Sequence, residues 1–156
     1  MADDTAKPEE NPVHAGMLRL QVVTPEAEAV HVEADAVTLP TASGEIQVLA
    51  GHMPLVSRLV PGEMVVRSGG KDSFLAVGRG IIMITGDHIS ILTDLAVEAE
   101  HIDEAAAETA RREAEARLQE QLSQEEIVTI KASLAKALAL LEVKHRHDHH
   151  GRHQAG

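Results

Sequence analysis

Glu45 and His52 place a carboxylate and an imidazole in one short stretch, residues 41–62 (TASGEIQVLAGHMPLVSRLVPG). Gly44 suits a tight turn, because a residue without Cβ takes positive φ at low cost. Gly51-His52, Pro54 and Pro61-Gly62 then punctuate the chain. The stretch reads as a loop-rich corner of a β domain with both groups near one edge. Ordinary turn polarity is the plainer account of the pair. A second set of candidates closes the chain: His145, His147, His149, His150 and His153, with Asp148, hold five of the ten histidines. Such side chains can bind Zn, Ni or Cu. The plainer account is a solvated tail that meets metal weakly and incidentally, and no metal site is assigned there.

Beyond these, no catalytic constellation is present. No glycine-rich loop ends in Lys-Ser or Lys-Thr, as phosphate cradling requires. Gly78-Arg79-Gly80 lacks the later glycine and the strand–loop–helix context of a dinucleotide site. HExxH and a Ser-His-Asp order are absent, and His31, His52, His88 and His101 stand singly. The chain does not read as an enzyme acting alone, and no cofactor is expected.

Charge and composition remove further classes. A formal net charge of −11 disfavours non-specific nucleic-acid binding. With one Phe and no Trp or Tyr, there is little for bases to stack on and little to line a ligand pocket. That leaves Val, Ile, Leu, Ala and Met to build the core. Cysteine is absent, so disulfide and thiolate chemistry are unavailable to it. No apolar run approaches the ~20 residues that span a bilayer. The acidic N-terminus has neither a secretory h-region nor the arginines of a transit peptide.

The elements that position these groups divide the chain in four. Residues 1–16 are polar with two prolines and read as a disordered tail. Residues 17–100 alternate with period two, as in Leu18, Leu20 and Val22, with turn signals at short spacing. Many short strands punctuated this way predict a sandwich or barrel. Arg58, Arg67 and Arg79 in this region read as solvated strand ends.

At residues 98–103 period two stops and alanine-rich helical sequence begins. Asp103 can cap a first helix running to about Leu122. Ser123 and Glu126 form a capping box for a second, through Ile127, Ile130, Leu134, Leu138 and Leu141. A short connection makes the two helices antiparallel neighbours. The hairpin spans 101–143 and leaves 144–156 as the His-rich tail. A two-helix hairpin has little core of its own, so it needs a surface to lie on and is a candidate mobile element.

GEIQVLAGHMPLVSRLVPG also resembles the GE-x-GIL-x-GH-x-PL…PG signature of the epsilon subunit of F-type ATP synthases, with Gln47 and Ala50 where a Gly and a Pro are usual. The resemblance extends over about residues 17–143 and includes ASLAKALALLEV at 132–143. It implies an N-terminal antiparallel β-sandwich followed by a C-terminal antiparallel two-helix hairpin, the division that periodicity also suggests.

The resemblance implies a non-catalytic rotor subunit of the central stalk. The sandwich would bind the gamma subunit and the ring of c subunits, and couple ring rotation to ATP synthesis. Carried over, Ser43, Gly44, Glu45, Gly51 and His52 would form the loop facing those partners, and some of the arginines would line an interface. The hairpin, with Asp103, Lys131, Leu134, Lys136, Leu138 and Leu141, would extend towards the alpha and beta subunits and restrain ATP hydrolysis. Some members bind ATP through I/L-D-x-x-R-A and arginines on the second helix. Here Ala106 and Leu140 stand at the usual arginine positions, so weak or absent ATP binding is expected. Lack of a presequence favours a bacterial protein, peripheral on the cytoplasmic face of the inner membrane. The rivals are a metal-handling module using the His-rich tail and a ligand-binding sandwich.

Overall fold

Leu18, Leu20 and Val22 are fully buried while Arg19 and Gln21 between them take the other face, the period-two pattern of a half-buried strand. Repetition of that pattern builds the first part of the protein. A computed structural model describes residues 16–26 and 28–153, with side chains throughout except at 28, 29 and 150–153. The strands are β1 (Leu18–Val23), β2 (Glu28–Ala34), β3 (Ala36–Thr41), β4 (Gly44–Leu49) and β5 (His52–Leu59). They continue as β6 (Gly62–Ser68), β7 (Lys71–Val77), β8 (Gly80–Gly86), β9 (His88–Thr93) and β10 (Ala96–Glu98). A 3-10 turn, Ala99–His101, leads to α1 (Glu104–Arg117) and α2 (Gln124–His153). All but Gly16 of the expected N-terminal tail lies outside the described residues, as do 154–156.

The strands form one curled sheet in the order β10-β7-β6-β3-β5-β8-β9-β1-β2, with β4 on the other side of β3. It folds into a sandwich: β4, β3, β6, β7 and β10 make one layer, and β5, β8, β9, β1 and β2 the other. The corner between layers is narrow, with Thr41 opposite Leu59 as the partner pair of β3 and β5. Pairing is antiparallel as expected, except that β1 runs parallel to β9. Leu20, Leu39, Met64, Ile82 and Ile91 meet between the layers in a core built without an aromatic. Gly80 is needed for packing: a Cβ there would lie 1.9 Å from the Leu92 carbonyl oxygen.

One strand departs from the sequence reading. The segment after Gly51 was expected to bend at Pro54, yet β5 runs through it. The register with β8 slips between His52 and Leu55, so Pro54, which has no N–H to give, sits where no ladder bond is required.

The helices differ less. Asp103 caps α1, its Oδ1 accepting from the Ala106 amide at 3.0 Å. Ser123 Oγ accepts from the Glu126 amide at 3.2 Å at the start of α2. α1 stops at Arg117, short of Leu122, because its last turn tightens: Gln119 and Glu120 donate to the carbonyls of Ala116 and Arg117. The chain can then reverse before Ser123. α2 continues to His153, through what composition suggested was a tail. Lys144–Asp148 and Arg146–Glu142 are ion pairs at i,i+4 spacing, and nothing in 144–149 breaks a helix. α2 lies on β6, β7 and the 3-10 turn, and α1 packs against α2.

Candidate functional site

The sandwich presents two outer faces. On the first, Phe74 and Ala76 of β7 and Val97 of β10 meet Leu140 and Val143 of α2, together with Ala99 and Ile102, in a small apolar seam. Helices cover this face. The second face, on β5, β8 and β9, is apolar, and among the described residues no helix covers it. Val56 is 73% exposed, Ile81 48%, Met83 38% and Leu92 48%, so more than a third of each remains in water. Register brings them together: Val56 opposes Met83, Ile81 lies between Arg58 and Leu92, and Leu92 neighbours Val23 of β1. Beside Ile81 and Leu92 opens a concavity of about 400 Å³, lined also by Pro25, Arg79, Gly80 and Asp94. A contiguous exposed apolar patch on a folded domain marks a surface for a partner. The sequence signal for it was the unbroken run Ile81-Ile82-Met83-Ile84, since a strand apolar at consecutive positions is apolar on both faces.

The five residues assigned to one partner-facing loop lie in two places. Ser43, Gly44 and Glu45 are at the start of β4, and Gly51 and His52 follow its end, about 17 Å away at the usual rise of a strand. Both turns are braced. Thr41 Oγ1 donates to the Gly44 carbonyl at 2.6 Å and accepts from the Ser43 amide at 3.2 Å, and Gly44 has φ of 116°. At the other end, the Gly51 amide donates to Asp87 Oδ1 at 3.2 Å, tying this turn to the one between β8 and β9. His52 Nδ1 lies 2.7 Å from the Met53 carbonyl oxygen. Glu45 and His52 therefore do not form a pair. Arg67 is committed to Asp72 at 2.8 Å across the β6–β7 turn, whereas Arg58 stands on the bare face and Arg79 at the concavity.

In the hairpin, Lys131 is exposed, Leu134 half-buried and Leu141 buried, while Leu138 remains 47% exposed. Lys136 Nζ lies 3.3 Å from Asp94 Oδ2, linking α2 to the sandwich. Ala106 is exposed, and Leu140 packs in the seam. α1 carries its own ion network, in which Arg111 pairs with Glu108 and with Glu115. The hydrogen bond from Arg111 holds the Glu108 carboxyl below its ordinary range. Among the described residues no three His, Asp or Glu side chains converge as metal ligands. His145 Nε2 is 3.1 Å from Glu104 Oε1, near the start of α1, and the His147 ring lies against Phe74. His149 is exposed, and the side chains of His150 and His153 lie outside the described residues.

A sandwich of this topology followed by a docked helix pair has counterparts among known proteins. Residues 17–99 match the family model of the ATP synthase delta/epsilon chain beta-sandwich domain, and 100–144 that of its long alpha-helix domain. The chain belongs to the ATP synthase delta/epsilon-chain family. An ATP synthase epsilon chain of Herminiimonas arsenicoxydans is 36% identical over 129 residues, covering 81% of this chain and 92% of that one. The fold is shared with a chain of the Euglena gracilis mitochondrial ATP synthase (TM-score 0.67, 24% identity, 90% of this chain and 87% of that one). It is also shared with a chain of the central stalk and c-ring assembly of the Tetrahymena thermophila mitochondrial ATP synthase (TM-score 0.57, 11% identity, 81% and 96%). The family's two domains coincide with the sandwich and the hairpin, and α2 runs past the end of the second match at 144. No described helix is long and apolar enough to cross a membrane.

Proposed function

We propose that the chain is a non-catalytic subunit of the central stalk of an ATP synthase, peripheral on the cytoplasmic face of a bacterial inner membrane. In this reading it couples rotation of the c-ring to the catalytic head. The observation that carries it is the bare apolar face of β5, β8 and β9, opposite the face that the helices cover. Val56, Ile81, Met83 and Leu92 suit the apolar centre of a protein interface, with Arg58 at its rim. That face would meet the gamma subunit. The two braced turns, Ser43-Gly44-Glu45 and Gly51-His52, lie too far apart for one small contact, so the reading divides them between the c-ring and gamma.

The hairpin would act as a brake on ATP hydrolysis by leaving its seam and extending towards the alpha and beta subunits. Its two packings need differ by only a few kcal/mol for such an exchange. Asp103 serves as a helix cap, and Leu140 fills the seam where a nucleotide-binding arginine is common in the family. Millimolar ATP should therefore leave the melting temperature and amide spectra unchanged. A micromolar dissociation constant would sink that part.

The test is capture of the chain by purified gamma subunit from the same source, with Val56→Asp and Ile81→Asp as variants, followed by ATPase assay with and without residues 103–156. Binding lost in both variants, with hydrolysis rising on removal of the helices, is the expected result. Binding without a change in rate keeps the coupling role and removes the brake. No binding by the unaltered chain overturns the reading.

A further inference from the structure

The helix-domain match ends at 144, yet the next three side chains of α2 reach three different elements. His145 Nε2 lies 3.1 Å from Glu104 Oε1 on α1. Arg146 Nη1 lies 3.4 Å from Glu63 Oε1, at the start of β6. The ring of His147 rests 6.2 Å from that of Phe74 on β7, tilted by 59°. Glu63, Phe74, Arg146 and His147 together line a cleft of about 360 Å³ at the helix–sandwich boundary.

We propose that residues 145–147 form a clasp that holds the hairpin against the sandwich. The proposal rests on the reading of the hairpin as a movable element. Glu63 gives the clasp its selectivity for the docked state. Its side chain is only 13% exposed, and Oε2 is buried with no hydrogen-bond partner among the described residues. α2 thus covers a carboxylate that needs a cation, and Arg146 brings one. Without Arg146 the docked state keeps a poorly hydrated, unpaired charge, while undocking returns Glu63 to water. The sandwich alone has no such need.

Placement adds leverage. Lys136–Asp94 is a second ionic contact between α2 and the sandwich. The two contacts are about 15 Å apart along the helix at its usual rise. Leu140 and Val143, the seam residues of α2, lie between them. The apolar seam is therefore bracketed by an ion pair at each end. Loss of the outer one lets α2 peel from the end that the family's helix domain does not cover.

The experiment is amide hydrogen exchange on the isolated full chain, which depends on neither gamma nor ATPase activity and so can fail independently of the stalk reading. Arg146→Glu should speed exchange at 136–147 by roughly tenfold or more, because a like charge then faces the little-exposed Glu63 carboxylate, and leave β8 and β9 unchanged. The double variant Glu63→Arg/Arg146→Glu, made together with Glu142→Ala so that the new carboxylate meets no like charge one turn earlier, should restore protection. Glu142→Ala breaks only the intrahelical pair of Arg146 and should leave exchange unchanged. The clasp is overturned by unaltered exchange in Arg146→Glu, by failure of the double variant to restore it, or by an equal effect of Glu142→Ala. Faster exchange in β8 and β9 would likewise overturn it, because Arg146 would then support the whole fold.

Discussion

Between the two layers of the sandwich, Leu20, Leu39, Ile82, Ile84 and Ile91 are each 0–1% exposed. Between the sandwich and α2, the buried residues are Ala76, Ala99, Ile102 and Val143. Both regions use burial of apolar surface, at roughly 25 cal/mol per Å², but branched side chains fill the first while two of the four in the second are alanines. The seam is supplemented by Lys136–Asp94 and Arg146–Glu63, and partly exposed pairs of this kind contribute about 0–1 kcal/mol each. The sandwich is thus a platform that holds its shape alone, and the hairpin a cover attached by a narrow apolar strip with ionic ends. In the proposed reading, a hairpin that leaves and returns would need this modest attachment, whereas a surface that transmits force would need the other kind.

The sharpest way to break the comparison is to cut one side chain from each region. Ile82→Ala opens a cavity in the core and should cost about 2–5 kcal/mol. The expected result is a fall of roughly 10 °C or more in the main thermal transition followed by circular dichroism. Val143→Ala makes a smaller cut in the seam, and should cost about 1–3 kcal/mol. It should appear as faster amide exchange across α1 and α2, with β1, β8 and β9 still protected. If Val143→Ala lowers the main transition as far as Ile82→Ala does, hairpin and sandwich are one cooperative unit and the contrast fails.

Legibility in the sequence followed the same contrast. Strands facing one core obey period two, so β1 and β9 could be read from Leu18, Leu20 and Val22 and from Ile89 and Ile91. Helix caps are local, and Asp103 and Ser123 act as read. What stayed hidden was non-local. Pro54 signals a break only until a slip in pairing with β8 relieves it of its ladder bond. The bare face depends on which side of β8 points outward, and the four-residue apolar run hides that choice. Glu45 and His52 look adjacent in the chain, yet a six-residue strand stands between their turns. Histidines past Val143 suggested a solvated tail because composition does not show that Glu63, Phe74 and Glu104 wait on other elements.

A smaller effect tests how much of the hairpin is local. Asp103→Ala removes the cap of α1, whose usual value is about 1 kcal/mol. Frayed amides at 104–107 are expected, with the seam residues 140–143 still protected. Loss of protection along the whole of α2 would mean that the α1 cap, rather than the seam, governs docking.

The weakest lever is acid, and it separates the regions by where their charges lie. Arg111 holds Glu108 below its ordinary range, and Arg67 does the same for Asp72, each chiefly through a side-chain hydrogen bond. A carboxyl depressed in the folded state contributes stability above its unfolded value, and that contribution is lost as pH falls towards the folded one. Loss therefore begins as pH drops through about 4, the ordinary carboxylate range. In the sandwich, protonating Asp72 loosens one turn, between β6 and β7, and the core of Leu20 and Ile82 is untouched. In the hairpin, protonating Glu108 strikes the ion network of α1, whose buried residues are alanines. Amide exchange measured from pH 6 to pH 3, corrected for intrinsic rates, should show α1 losing protection before β8 and β9. Simultaneous loss in both would show that the charges on α1 add nothing its packing did not already supply.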